Sequence, residues 1–192
     1  LCCCAAPTAG VGAPPSRGMA LESATEEEDA IRVVTRGAEF VFQKGESRLS
    51  VSQRIPVQRS LGSISGVALK GIVLLRSSAC ECEVSGAPGG ASFTVGADGL
   101  LRISLAPPGA VTVGGNYEPR HRQHVGRDFF LPDEQGGLGM YLVSGEAREE
   151  EPANWKPGWS VRYRMSKPGE LWIAAFPPRP FGWAQSHQTM LH

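Results

Sequence analysis

The side chains with the widest chemical repertoire lie together in the short basic segment Arg-His-Arg-Gln-His. There Arg120 and Arg122 alternate with His121 and His124, and the two arginines would repel a divalent cation. The sequence therefore predicts no metal site and favours an exposed basic loop; the alternative is a loop that receives an anionic group such as a sugar carboxylate or sulfate. A second hypothesis is a small lyase, in which His121 or His124 moves a proton together with the nearby Tyr117.

The common catalytic motifs are missing from the sequence. It contains no Gly-x-Ser-x-Gly elbow, no phosphate-binding glycine-rich loop and no His-Glu-x-x-His pair. The adjacent carboxylates Asp133 and Glu134 stand in a segment typical of a turn, whereas the carboxylates of a glycosidase face each other across a bond. We therefore predict no catalytic residue in this chain and no bound cofactor.

Large aromatic side chains are concentrated near the carboxyl end, where all four tryptophans fall between residues 155 and 183. An indole ring buries a large area and can stack on the C–H face of a sugar. Trp155 and Trp159 lie in loop-like sequence and Trp183 follows a run of prolines, so these three are the candidates for contact with a carbohydrate. Trp172 lies on a predicted strand and is expected in the core or at a domain interface.

The cysteines do not form a spaced disulfide framework. Cys2, Cys3 and Cys4 are consecutive, which suits lipidation at the end of a signal peptide or a cluster of palmitoylated thiols. The other explanation for them is a tail carried over from an export segment or an upstream gene start. Cys80 and Cys82 are expected to be small buried hydrophobes, because no second cysteine pair completes a zinc site.

The composition describes a turn-rich β protein. Among 192 residues, 24 are glycine and 15 are proline, and both residue types break helix interiors. The 19 basic and 19 acidic side chains balance, so no net field favours nucleic acid. No apolar run is long enough for a transmembrane helix. These observations exclude a helical bundle and predict a mainly β fold.

Short apolar or β-branched runs recur along the chain with turn sequences between them, such as Asp98-Gly99 and Pro168-Gly169. This pattern predicts a two-layer antiparallel β-sandwich of roughly ten short strands. We expect a disordered or processed tail over residues 1–24 and the β-sandwich domain over residues 25–183. Residues 184–192 are expected to form a second tail, which could begin a downstream domain.

Five segments together resemble the N-terminal β-sandwich, or supersandwich, region of large bacterial glycoside hydrolases; they are residues 39–45, 48–51, 136–142, 157–160 and 171–180. In those enzymes the last strand leaves through prolines into a catalytic barrel, which holds the catalytic carboxylates. The resemblance implies an accessory domain, and it transfers no catalytic residue to this chain.

Three functions remain open at this stage. The leading hypothesis is a non-catalytic β-sandwich domain of an exported carbohydrate-active protein, with a polysaccharide and a downstream catalytic domain as partners. The alternatives are a stand-alone surface lipoprotein or interaction module, anchored through its N-terminal cysteines, and the small lyase. The sequence does not predict the oligomeric state.

Overall fold

A computed structural model describes residues 21–86, 91–106, 109–120, 123–125, 128–150 and 158–178, with the backbone alone at 123–125 and 147–150. Several residues singled out by the sequence lie outside this part of the chain: Cys2, Cys3, Cys4, His121, Arg122, Trp155 and Trp183. The described residues contain sixteen strands and no helix. Within them, no helix is long and apolar enough to cross a membrane.

The strands follow one another along the chain as β1 Leu21–Glu26, β2 Ala30–Thr35, β3 Ala38–Gln43, β4 Arg48–Gln53, β5 Arg59–Ser65, β6 Val73–Ser77, β7 Glu81–Ser85, β8 Ser92–Gly96, β9 Leu101–Leu105, β10 Gly109–Gly115, β11 Gln123–Val125, β12 Asp128–Asp133, β13 Gly136–Ser144, β14 Ala147–Glu150, β15 Ser160–Met165 and β16 Gly169–Phe176. They form two antiparallel sheets of eight strands. Sheet A has the order β1-β2-β3-β4-β5-β10-β15-β14, and sheet B has the order β11-β12-β13-β16-β9-β8-β7-β6. The predicted two-layer sandwich is therefore confirmed, with more strands than expected.

The core lies between the two sheets and follows from the alternation of side chains along each strand. In β3, Ala38, Phe40 and Phe42 are buried while the residues between them are only partly covered. Successive side chains of a strand point to opposite faces, so one face of each sheet supplies the core. Phe42 of sheet A meets Phe93 of sheet B edge to face, with ring centroids 5.2 Å apart.

Two boundaries differ from the sequence-based expectation. Strand β1 begins at Leu21, so residues 21–24, which were assigned to the tail, pair with β2 instead. Leu21 and Ala24 pack against the core, which explains why this short polar segment joins the sheet. The turn expected over 166–169 ends one residue earlier, because Gly169 begins β16, and it carries the chain from β15 in sheet A to β16 in sheet B.

Candidate functional site

Trp159 is a core residue and its indole is 1% exposed. Backbone hydrogen bonds join the segment to Gly115 on the neighbouring strand β10, with Gly115 N donating to Trp159 O at 2.9 Å. The ring occupies the space that Gly115 leaves free, since a Cβ added there would lie 2.1 Å from the indole Cε2. A ring buried in this way has no face for a sugar, so the expectation for Trp159 is wrong.

Tyr117 lies beside Trp159 and is also buried, with the two rings edge to face at 5.7 Å. Its hydroxyl donates to the carbonyl of Leu131 at 2.6 Å and accepts from the amide of Leu138 at 2.9 Å. Burial raises the pKa of Tyr117 far above its usual range. These contacts tie β12 and β13 to the loop after β10, and they remove Tyr117 from the proposed proton transfer.

The charged side chains near Tyr117 form ion pairs with one another. The Arg59 guanidinium lies 5.3 Å from the Tyr117 ring centroid and makes a two-pronged ion pair with Asp133, with Nη2 2.7 Å from Oδ1. Asp133 also accepts from the amide of Gln135 at 2.7 Å, which confirms the predicted turn. Arg120 is exposed and bonds Glu134 at 3.0 Å. His124 belongs to β11, and its side chain is outside the described residues.

A polar depression lies on the outer face of sheet A, and we call it the serine groove. It has a volume of about 330 Å³ and crosses β4, β5, β10 and the start of β15. Its hydroxyl side chains are Ser50, Ser60, Ser63, Ser65, Thr112 and Ser160, and Arg48, Asn116, Gly62 and Gly114 are among its other lining residues.

The strand register brings the groove residues into line. Ser50 lies opposite Ser63, Ser63 opposite Gly114, and Gly114 opposite Ser160. Because these side chains are small, the middle of the sheet is depressed. A Cβ added at Gly114 would point outward and meet only ordinary contacts, the nearest at 3.5 Å from the carbonyl oxygen of Trp159. The backbone of Trp159 therefore borders the groove, while its buried ring fills the space beside Gly115 on the inner side of the sheet.

Most hydroxyls of the groove are not used by the fold. Within the described chain, no hydrogen bond involves the hydroxyls of Ser50, Ser63, Ser65, Thr112 or Ser160. Ser60 is the exception, because its Oγ lies 2.9 Å from the Asn116 side-chain amide at one end of the groove. The free hydroxyls can each donate and accept, so the groove presents a polar array to a ligand.

The outer face of sheet B has the opposite character. A cluster that we call the aromatic patch comprises Phe130, Tyr141, Trp172, Ala174 and Phe176 on β12, β13 and β16. Phe130 and Tyr141 meet edge to face at 5.2 Å. Trp172 is half-buried between two charged neighbours: its Nε1 donates to Glu170 at 2.6 Å, and the Arg102 guanidinium lies 4.8 Å from the ring centroid. The expectation of a core position for Trp172 is wrong, since it lies on the outer face of sheet B; its place at a domain interface stays a prediction.

The two described cysteines differ. Cys82 is fully buried as expected, and burial raises the pKa of its thiol to about 11. Cys80 is exposed, contrary to the expectation. Among the residues whose side chains are described, no three His, Cys, Asp or Glu residues come together as a metal site.

Comparison with protein-family models, curated proteins and solved structures gives no significant match for this chain. The resemblance to the supersandwich region of bacterial glycoside hydrolases therefore stays a prediction. The serine groove is the functional candidate that the sequence-based analysis missed. Its signal was present in the alternation of serine with apolar residues at 49–52 and 62–65, which places the hydroxyls of each strand on one face.

Proposed function

We propose that this chain is a non-catalytic β-sandwich domain of an exported carbohydrate-active protein, and that it binds a polysaccharide in the serine groove. The observation that carries the proposal is the row of hydroxyls across four strands that make no hydrogen bond within the described residues. The row lies in the middle of sheet A, where glycine and serine leave the surface depressed. This surface replaces Trp159 as the candidate for glycan contact, while Trp155 and Trp183, which lie outside the described residues, stay predictions.

A sugar chain suits the chemistry of this groove. Sugar hydroxyls donate and accept hydrogen bonds, as serine and threonine hydroxyls do, so each can replace the water on the other. Four adjacent strands place their outermost members about 14 Å apart. An open groove of that length fits several sugar units in a row, whereas a small ligand is usually enclosed by a deeper apolar pocket.

The residues of the groove favour binding over turnover. Its lining contains no Asp, Glu, His or Cys among the described residues. Arg59 precedes the groove residue Ser60, and its carboxylate partner Asp133 is held in their ion pair and in a turn. Acid–base catalysis needs a group that is free to exchange a proton with the substrate. A domain that holds a polysaccharide for a catalytic partner needs no such group.

The proposal is tested by electrophoresis of the protein through gels that contain soluble polysaccharides, both neutral and acidic. The blocking variant is Gly114→Val, because the Cβ that it adds enters the groove without a close contact and valine is favourable in strands. Ala110→Val is the matched control: it adds valine on the same face of β10 outside the groove lining.

At least one polysaccharide should slow the parent protein and the Ala110→Val variant to the same extent. The Gly114→Val variant should migrate through that gel as it does through a gel without polymer, while its thermal unfolding stays close to that of the parent. Equal slowing of Gly114→Val and the parent would remove the groove as the binding site. If no polysaccharide slows the parent, the proposed function is wrong.

A further inference from the structure

Two arginines stand at the ends of a line of paired residues that runs through Ser65 and Thr112 of the serine groove; Arg48 belongs to the groove lining, and Arg162 lies one strand beyond Thr112. Arg48 on β4 lies opposite Ser65, Ser65 lies opposite Thr112, and Thr112 lies opposite Arg162 on β15. Both arginines are exposed on the outer face of sheet A. With three strand spacings between them, their backbones are about 14 Å apart. The hydroxyl-bearing residues Ser65 and Thr112 occupy the positions in between.

These arginines differ from most others in the described chain. Six arginines form ion pairs with carboxylates, namely Arg32, Arg54, Arg59, Arg76, Arg102 and Arg120. Within the same part of the chain, Arg48 and Arg162 make no ion pair and no side-chain hydrogen bond. Their guanidinium groups are therefore available to a ligand.

The charges around this line are few. Glu150 lies opposite Arg162 in the register of β14, and Arg164 follows on the same face of β15. On the other side, Glu39 of β3 is occupied by its ion pair with Arg32. The protein as a whole carries no formal net charge. Any preference of the groove for anions must therefore come from these local arginines rather than from a general positive field.

We infer that the ligand of the serine groove is an acidic polysaccharide whose carboxylate or sulfate groups are bound by Arg48 and Arg162. The inference rests on the proposed function, to which it adds the class of polysaccharide. A guanidinium presents two parallel N–H groups that match the oxygens of a carboxylate or a sulfate. With about 14 Å between their backbones, we assign each arginine to a different sugar unit. The hydroxyls between them contact the chain that joins those units.

The test compares polymers that differ only in charge. Polygalacturonate is set against its fully methyl-esterified form, and dextran sulfate against dextran, so that carboxylate and sulfate are distinguished. The test variant is Arg48→Gln with Arg162→Gln. The control is Arg76→Gln with Lys167→Gln, which removes the same charge from exposed side chains outside the groove lining. Affinities are measured at low and at high salt.

The parent should bind at least one acidic polymer and bind its neutral counterpart much more weakly. Each groove arginine should account for about a five-fold loss of affinity, so the test variant should bind about 25-fold more weakly. High salt should weaken the parent and have less effect on the test variant, because salt screens exposed charges. The control variant should bind as the parent does.

Three results would overturn the inference, and they have different meanings. Equal binding of acidic and neutral polymers, with Gly114→Val still blocking both, would leave the groove as a site for neutral glycans. Equal losses in the test and control variants would assign the effect to net charge. If the parent binds none of the four polymers while another glycan binds in the groove, only the acidic class of polysaccharide is wrong. If the parent binds no glycan at all, the proposed function is wrong as well.

Discussion

On the outer face of sheet A, strands β4, β5, β10 and β15 carry serine, threonine, glycine and arginine, whereas on the outer face of sheet B, strands β12, β13 and β16 carry phenylalanine, tyrosine and tryptophan. The difference is visible within single strands. In β4 and β10 buried residues alternate with partly exposed ones, but β13 is buried at seven consecutive positions, 136–142. At β12, β13 and β16, sheet B therefore buries residues on both of its faces, whereas β4 and β10 of sheet A bury residues on one.

The two outer faces therefore have different roles: the face of sheet B stabilises the fold, and the face of sheet A is the one that we propose to bind a ligand. Burial of the aromatic patch stabilises sheet B in addition to the core, because removing apolar area from water is favourable. The side chains of the serine groove are small and unpaired, so the fold depends on them little. Residues of such a surface can be replaced without a large loss of stability, so they can be adapted to a ligand. For this reason we place the binding site on sheet A.

The largest expected effect concerns the support behind the groove. Trp159→Ala should lower the free energy of unfolding by about 4 kcal/mol, because it leaves a cavity at Gly115 and Tyr117. The matched change on the other sheet, Trp172→Ala, should cost about 1–2 kcal/mol, because that ring is only half-buried. Urea unfolding followed by circular dichroism measures both. A stable Trp159→Ala variant that loses only glycan binding would restore the exposed-ring hypothesis and contradict the account.

A smaller difference in the free energy of unfolding is expected between substitutions on the two outer faces. Phe130 is 3% exposed on the aromatic patch, and we expect Phe130→Ala to lower the free energy of unfolding by about 3 kcal/mol. Ser63→Ala in the serine groove should change it by less than about 0.5 kcal/mol. The same unfolding experiment compares them. Similar costs at the two positions would mean that the outer face of sheet A also stabilises the fold.

The sequence predicted the parts of the molecule that depend on local patterns. Apolar and β-branched runs predicted the strands of the sandwich, and Asp98-Gly99 identified a turn, where Gly99 has a φ of 75° and Asp98 Oδ1 accepts from the Leu100 amide at 3.0 Å. These features depend on neighbouring residues, so their sequence signal is direct. The high content of glycine and proline was also sufficient to exclude a helical bundle.

The remaining features depend on residues far apart in the sequence. Trp159 looked like a loop residue, and only its pairing with Gly115 on β10 makes it part of the core. Strands β15 and β16 are consecutive but join different sheets, where β16 inserts between β13 and β9. The serine groove combines side chains from four strands. Without the register of those strands, its hydroxyls and two arginines could not be placed together.

The most direct test of the account is to map the binding face by NMR. The protein is titrated with oligosaccharides cut from a polysaccharide that slows it in the gel, and the backbone amide signals are followed. We expect the signals of β4, β5, β10 and β15 around Ser63 and Gly114 to shift, while those around Phe130 and Trp172 stay unchanged. Shifts confined to β12, β13 and β16 would place binding on the aromatic patch and contradict the central claim.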